Sequence, residues 1–144
     1  MNLYKNILVA VDLHPHYDDH TIESAVAFSK EMGAQLTILH AVEPIHAYGA
    51  AQGYEIILEV EEKIMREAQK SLNTLGEKFG IPVEKQLIIK GPSKTIILEN
   101  AKKLNMDLII VGSHSRHGLH LFFGTTADGV THNAHCDVLS IRGK

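Results

Sequence analysis

The chain alternates short, continuously apolar runs with longer stretches whose apolar residues recur every three or four positions. Ile7-Leu8-Val9-Ala10-Val11 has no polar position and stops at Asp12. A strand covered on both faces of a parallel sheet reads this way, whereas a half-exposed strand alternates. Strands are predicted at 7–11, 36–42, 83–90, 107–111 and 138–141.

The intervening segments have helical periodicity. In 21–32, Ile22, Ala25, Phe28 (or Ser29) and Met32 share a face, and Gly33 follows where a left-handed C-terminal residue is wanted. In 55–79, Val60, Ile64, Ala68, Leu72, Leu75 and Phe79 form one apolar stripe. Glu61, Glu62, Lys63, Arg66, Glu67, Lys70 and Glu77 cover the opposite, solvated face, and Gly80 and Pro82 end the helix. Ser93 is placed to cap a helix with Ile96, Ile97, Ala101 and Leu104 on one side. The last helix is predicted over 125–135. Pro44, Gly49 and Gly53 break up the stretch 43–54, the longest loop.

Five strands separated by helices predict an α/β fold: a doubly wound parallel sheet with helices on both faces, in one domain over 1–144. The 14 basic and 17 acidic residues leave a formal net charge of -3, without the excess positive charge of a nucleic-acid-binding surface. The only cysteine is Cys136, so no internal disulfide forms, which suits a reducing compartment. The N-terminus runs straight into the first strand without the features of a signal peptide, and no apolar run approaches the ~20 residues of a membrane span. A cytoplasmic protein that touches neither nucleic acid nor membrane is expected.

Candidate chemistry gathers at two strand ends. The first strand delivers Asp12. The fourth delivers Gly112, Ser113, His114, Ser115, Arg116, His117 and Gly118, then an apolar stretch, then Gly124, Thr125 and Thr126 opening a helix. In doubly wound sheets, ligands bind outside the carboxyl ends of strands, where the strand order reverses. If the first and fourth strands are neighbours, Asp12 and this loop face each other across one crevice. Gly112 and Gly124 let backbone approach an anion. Thr125 and Thr126, at a helix N-terminus, would offer free N–H groups and hydroxyls to a phosphate, with Arg116 adding charge. Glycine and threonine before a helix are also ordinary capping.

Four segments, in order, resemble the universal stress protein family. They are the opening Lys5-Asn6-Ile7-Leu8-Val9-Ala10-Val11-Asp12; Leu39-His40-Ala41-Val42; Asp107-Leu108-Ile109-Ile110-Val111-Gly112-Ser113-His114; and His135-Cys136-Asp137-Val138-Leu139-Ser140-Ile141-Arg142. The last has Asp137 where proline is common. The family's nucleotide-binding members carry glycine, two residues, glycine, nine residues, then glycine and serine or threonine. Gly112 and Gly124-Thr125 are matched to this motif, with Ser115 at its second glycine. The resemblance implies a sheet of order 3-2-1-4-5 of the adenine nucleotide alpha hydrolase-like kind. It also implies ATP (or AMP or ADP), with magnesium as an accompanying ion. The main chain of Ala41 would address the adenine edge, the main chain of Ala10 and Val11 would lie near the base, and Asp12 would sit by the ribose or magnesium. It implies a homodimer formed through the last strand, Val138-Leu139-Ser140-Ile141. A protein with a vestigial site that works through partners, and a weak ATPase, remain as alternatives.

Other chemistries fit less well. His14, His16 and His20, then His114, His117 and His120, then His132 and His135, have spacings that zinc sites use, but the first two groups fall in predicted loops. A phosphorylated receiver needs an acceptor aspartate after the third strand, which here ends at Lys90-Gly91. A flavodoxin needs a phosphate loop in place of Asp12-Leu13-His14-Pro15-His16, and no P-loop sequence is present. Cys136 has no base that sequence fixes beside it, so no catalytic residue is assigned.

Overall fold

The computed structural model describes residues 3–13, 19–45, 54–112 and 121–142, with backbone alone for 54 and 121–125. The elements run β1 (Asn6–Ala10), α1 (His20–Met32), β2 (Gln35–Val42), α2 (Tyr54–Phe79), β3 (Gln86–Lys90), α3 (Ser93–Lys103), β4 (Leu108–Gly112), α4 (Leu121–Asn133) and β5 (Asp137–Ile141). All neighbouring strands are parallel, in the order β3-β2-β1-β4-β5. The predicted fold class and strand order are therefore observed.

The apolar runs are buried for the expected reason. Ile7, Leu8 and Val9 of β1, and Ile109, Ile110 and Val111 of β4, are fully enclosed because these strands have a strand on each side and helices on both faces. One core layer joins Leu8, Leu39, Ile109 and Val111 to Ile97, Ala101 and Val130 of α3 and α4. The other joins Ile7, Val9, Ile38 and Ile110 to Ile22, Ala25 and Leu72 of α1 and α2. Ser29, rather than Phe28, completes the buried face of α1, its Oγ donating to Val26 O at 2.9 Å. Gly33 ends α1 in the left-handed region at φ 65°. Ala34 N–H then reaches Ser29 O at 2.9 Å, the long bond of a Schellman ending.

Four expectations need correction. The third strand does not start at Val83. Pro82 is followed by a 3-10 turn over Val83–Lys85, and β3 begins at Gln86. Lys85 N–H bonds Pro82 O at 2.9 Å, and Val83 is 69 % exposed. Leu104 does not join the buried side of α3. It caps that helix and is 40 % exposed, and Asn105 takes the left-handed turn at φ 53°. Ser93 is the first residue of α3 and not its cap. Glu43, at the end of β2, accepts from its N–H at 3.0 Å and from its Oγ at 3.1 Å, so a remote carboxylate satisfies the helix N-terminus.

The fourth correction concerns α2. Its stripe buries Ala68 and Leu72 but leaves Val60 and Ile64 exposed. A 26-residue helix is about 39 Å long. The five-residue strand β3 spans only about 17 Å. The N-terminal half of α2 therefore runs past the sheet. An ion pair tethers this half: Lys90 Nζ lies 2.7 Å from Glu61 Oε1, and Ile45 N–H donates to Glu61 Oε2 at 3.1 Å.

Lys90, and then the Ile45 N–H, hold the Glu61 carboxyl below its ordinary range. A depressed folded-state pKa contributes stability above the unfolded value, and that contribution disappears as pH falls through the folded value. Lys90→Met should therefore narrow its stability deficit against the parent on acidification below the usual carboxylate range, as read by urea melts across pH. A deficit that stays constant to low pH would show that the pair contributes nothing through charge.

Candidate functional site

The chain builds β1, β2 and β3 outward in one direction, then crosses back to lay β4 and β5 on the other side of β1. The reversal falls between β1 and β4, and because the strands are parallel, their carboxyl ends open on the same edge. Ile7↔Leu108, Leu8↔Ile109 and Val9↔Ile110 set the register. Two residues beyond the last pair, Val11 and Gly112 are level with one another. Asp12, half-buried, leaves β1 there, and Gly112, buried, ends β4. The two predicted strand ends thus meet at the switch point.

Ala10, Val11 and Ala41 are 5 %, 9 % and 8 % exposed, and their side chains belong to the two core layers. The last rung between β1 and β2 is Val11 N–H to Leu39 O at 2.9 Å. Beyond it the Val11 carbonyl is met by His40 Nδ1 at 2.9 Å. Main-chain groups on a strand alternate sides, so the N–H and C=O of Ala41 face the same way as those of Leu39, toward β1. His40 falls within a segment that resembles the family, and the sequence assigns it no binding role. Its bond to Val11 spans 29 residues, and no local pattern announces it.

Ser113, His114, Ser115, Arg116 and Gly118 lie outside the described residues, as do His14, His16, His117 and His120. The helix expected to start at Thr125 starts at Leu121. Gly124, Thr125 and Thr126 therefore lie past its first three residues, and Thr126 is 7 % exposed. The free N–H groups of a helix belong to its first turn. Those of α4 lie nearer Leu121 than the predicted start at Thr125. Gly124 did not delay the start, since one interior glycine costs a helix only about 1 kcal/mol. The motif spacing also departs from the family's: residues 116–123 separate Ser115 from Gly124, one fewer than nine.

Among the described residues no cluster of three or more His, Cys, Asp or Glu is arranged to hold a metal ion. Cys136 packs partly buried against the α3–α4 core layer. Burial, and then Asp137, push its thiol pKa up, which keeps it protonated and poorly nucleophilic at neutral pH.

A five-stranded parallel sheet of this order, shared with solved universal stress proteins, belongs to the adenine nucleotide alpha hydrolase-like fold. The model of the universal stress protein family matches residues 3–142, and the chain belongs to that family. It is 44 % identical over 144 residues to universal stress protein A homolog 2 of Coxiella burnetii, covering 100 % of this chain and 99 % of the relative. Among solved structures it resembles universal stress protein UspA from Lactobacillus plantarum, with a TM-score of 0.80 and 26 % identity over 96 % of this chain and 98 % of that one. It also resembles a universal stress protein in complex with cAMP, with a TM-score of 0.60 and 21 % identity over 96 % and 97 % of the two chains.

Proposed function

We propose that the chain is a stress-response module that binds an adenine nucleotide, ATP or its AMP and ADP relatives, at the carboxyl ends of β1 and β4. The carrying observation is the adjacency of Asp12 and Gly112 at the strand-order reversal, where this class of sheet takes its ligands. Ala41 main chain would meet the base, with the main chain of Ala10 and Val11 close by. Asp12 would meet the ribose or a magnesium ion. Gly112 and the residues Ser113, His114, Ser115, Arg116, Gly118, Gly124, Thr125 and Thr126 would surround the phosphates. A fold neighbour holds cAMP, which supports the fold's capacity for this ligand class. No general base is assigned, and holding the nucleotide rather than hydrolysing it is the activity we infer.

The working form would be a cytoplasmic homodimer joined along β5, which is the last strand of the sheet on its side. A strand at the edge of a sheet can take a second strand beside it. Among the described residues no helix is long and apolar enough to cross a membrane.

Denaturing the purified protein should release an adenine nucleotide, identified by absorbance and mass. Calorimetric titration with ATP and magnesium should show binding that Asp12→Ala weakens about tenfold, the equivalent of ~1.4 kcal/mol. A second reading, a vestigial site in a protein that acts through partners, is favoured by α4 starting at Leu121 and not at Thr125. The absence of binding at millimolar nucleotide would select it. Recovery of affinity in Ser115→Gly would then trace the loss to that one Cβ.

A further inference from the structure

The ladder between β1 and β2 ends on a side chain. Once Val11 N–H has donated to Leu39 O, the next rung of a parallel pair would run from Ala41 N–H to the Val11 carbonyl. That carbonyl is held instead by His40 Nδ1 at 2.9 Å. A carbonyl only accepts, so Nδ1 carries the imidazole proton. β2 meanwhile stays paired with β3 as far as Val42↔Lys90, and Gly91 N–H closes on Val42 O at 2.9 Å. The strand is thus held rigidly on its β3 side while its β1 side parts from its neighbour at Ala41.

We propose that His40 is a positioning residue for base selection. By holding the Val11 carbonyl, it stops the ladder from closing over Ala41 and leaves the Ala41 N–H and C=O to pair with a base. That pair matches adenine, which presents a ring-nitrogen acceptor beside an amino donor. It mismatches guanine, whose ring N–H and carbonyl present the opposite order. A buried donor or acceptor left without its partner costs far more than an ordinary hydrogen bond gains, so this mismatch discriminates. The inference rests on the adenine-nucleotide reading, and His40 acts only through Val11 and Ala41.

Two measurements test it. Titrations of the parent, His40→Ala and His40→Asn with ATP and with GTP give the base selectivity. His40→Ala should lower the ATP:GTP affinity ratio about tenfold, chiefly by weakening ATP. His40→Asn, whose amide nitrogen reaches the position of Nδ1, should restore the ratio. Equal weakening of both nucleotides, or an unchanged ratio, overturns base selection by His40. Amide hydrogen exchange of the ligand-free proteins is the second readout. Ala41 N–H should exchange more slowly in His40→Ala than in the parent, because the rung closes. Unchanged exchange overturns the proposal whatever the titrations show. A parent that binds neither nucleotide refutes the nucleotide reading, while slower Ala41 exchange in His40→Ala would still uphold the effect of His40 on the strand edge.

Discussion

Leu72→Ala is expected to destabilise the protein by about 3 kcal/mol, whereas Val60→Ala, on the same helical stripe, should change stability by less than about 0.5 kcal/mol. Leu72 is fully buried and belongs to the core layer with Ile38, Ile110 and Ile22. Removing its isobutyl group forfeits the transfer free energy and leaves a cavity that neither α2 nor the rigid sheet can collapse to fill. Val60 is 42 % exposed on the overhanging half of α2. Its truncation removes little buried surface, and alanine is the better helix former, which offsets what is lost. Urea unfolding of both variants beside the parent gives the comparison directly. Equal losses would mean that the stripe is buried along its whole length, and the overhang would be wrong.

That contrast also marks where the sequence was legible. Period and composition separate core strands from helices because burial on both faces leaves no polar position. The runs at β1 and β4 and the glycine at the end of α1 therefore translate directly into structure. What period cannot supply is length matching. Val60 and Leu72 are indistinguishable on a helical wheel, and only the short strands beneath α2 decide which is covered. Nor can it supply a partner that arrives from far along the chain. Ser93 has the look of its own helix cap, yet Glu43, fifty residues earlier, accepts from it. His40 has the look of packing, yet it ends a sheet ladder. Glycine followed by threonine at 124–125 resembles a helix start, whereas Leu121, Phe122 and Phe123, where α4 begins, are apolar and announce none.

The strand order was not derivable from pattern alone, since five alternating strands permit several right-handed arrangements. Family resemblance chose among them, and the register confirms the choice residue by residue. With the order known, the two edges of the sheet have different tasks. At the carboxyl edge the ladder between β1 and β2 ends at the bond from Val11 N–H to Leu39 O, beside the strand ends Asp12 and Gly112 where the nucleotide is proposed to bind. At the amino edge, side-chain carboxylates tie the strands together. Asp107 accepts main-chain N–H groups from the start of β1, and Asp137 accepts from the Tyr4 hydroxyl at 2.8 Å.

Asp107→Ala should therefore cost about 2 kcal/mol of stability with little effect on nucleotide affinity. Asp107 Oδ2 accepts from Lys5 N–H at 2.9 Å, and both of its carboxylate oxygens lie 3.2 Å from Asn6 N. An acceptor bearing charge strengthens such bonds, and truncation leaves the half-buried Asn6 donor without its partner. Asp107→Asn should cost less. Its single oxygen can occupy the Oδ2 position and keep the shorter bond, while its amide nitrogen turns a donor toward the Asn6 N–H. The ordering Ala worse than Asn, measured by urea unfolding, separates loss of the acceptor from a mere change in surface charge, which would affect the two variants equally. Because the contact lies at the opposite end of the strands from Asp12 and Gly112, titration of either folded variant with ATP should return the parent's affinity. A variant of normal stability that loses its ligand would mean that the amino edge takes part in binding and that the division of tasks along the sheet is false.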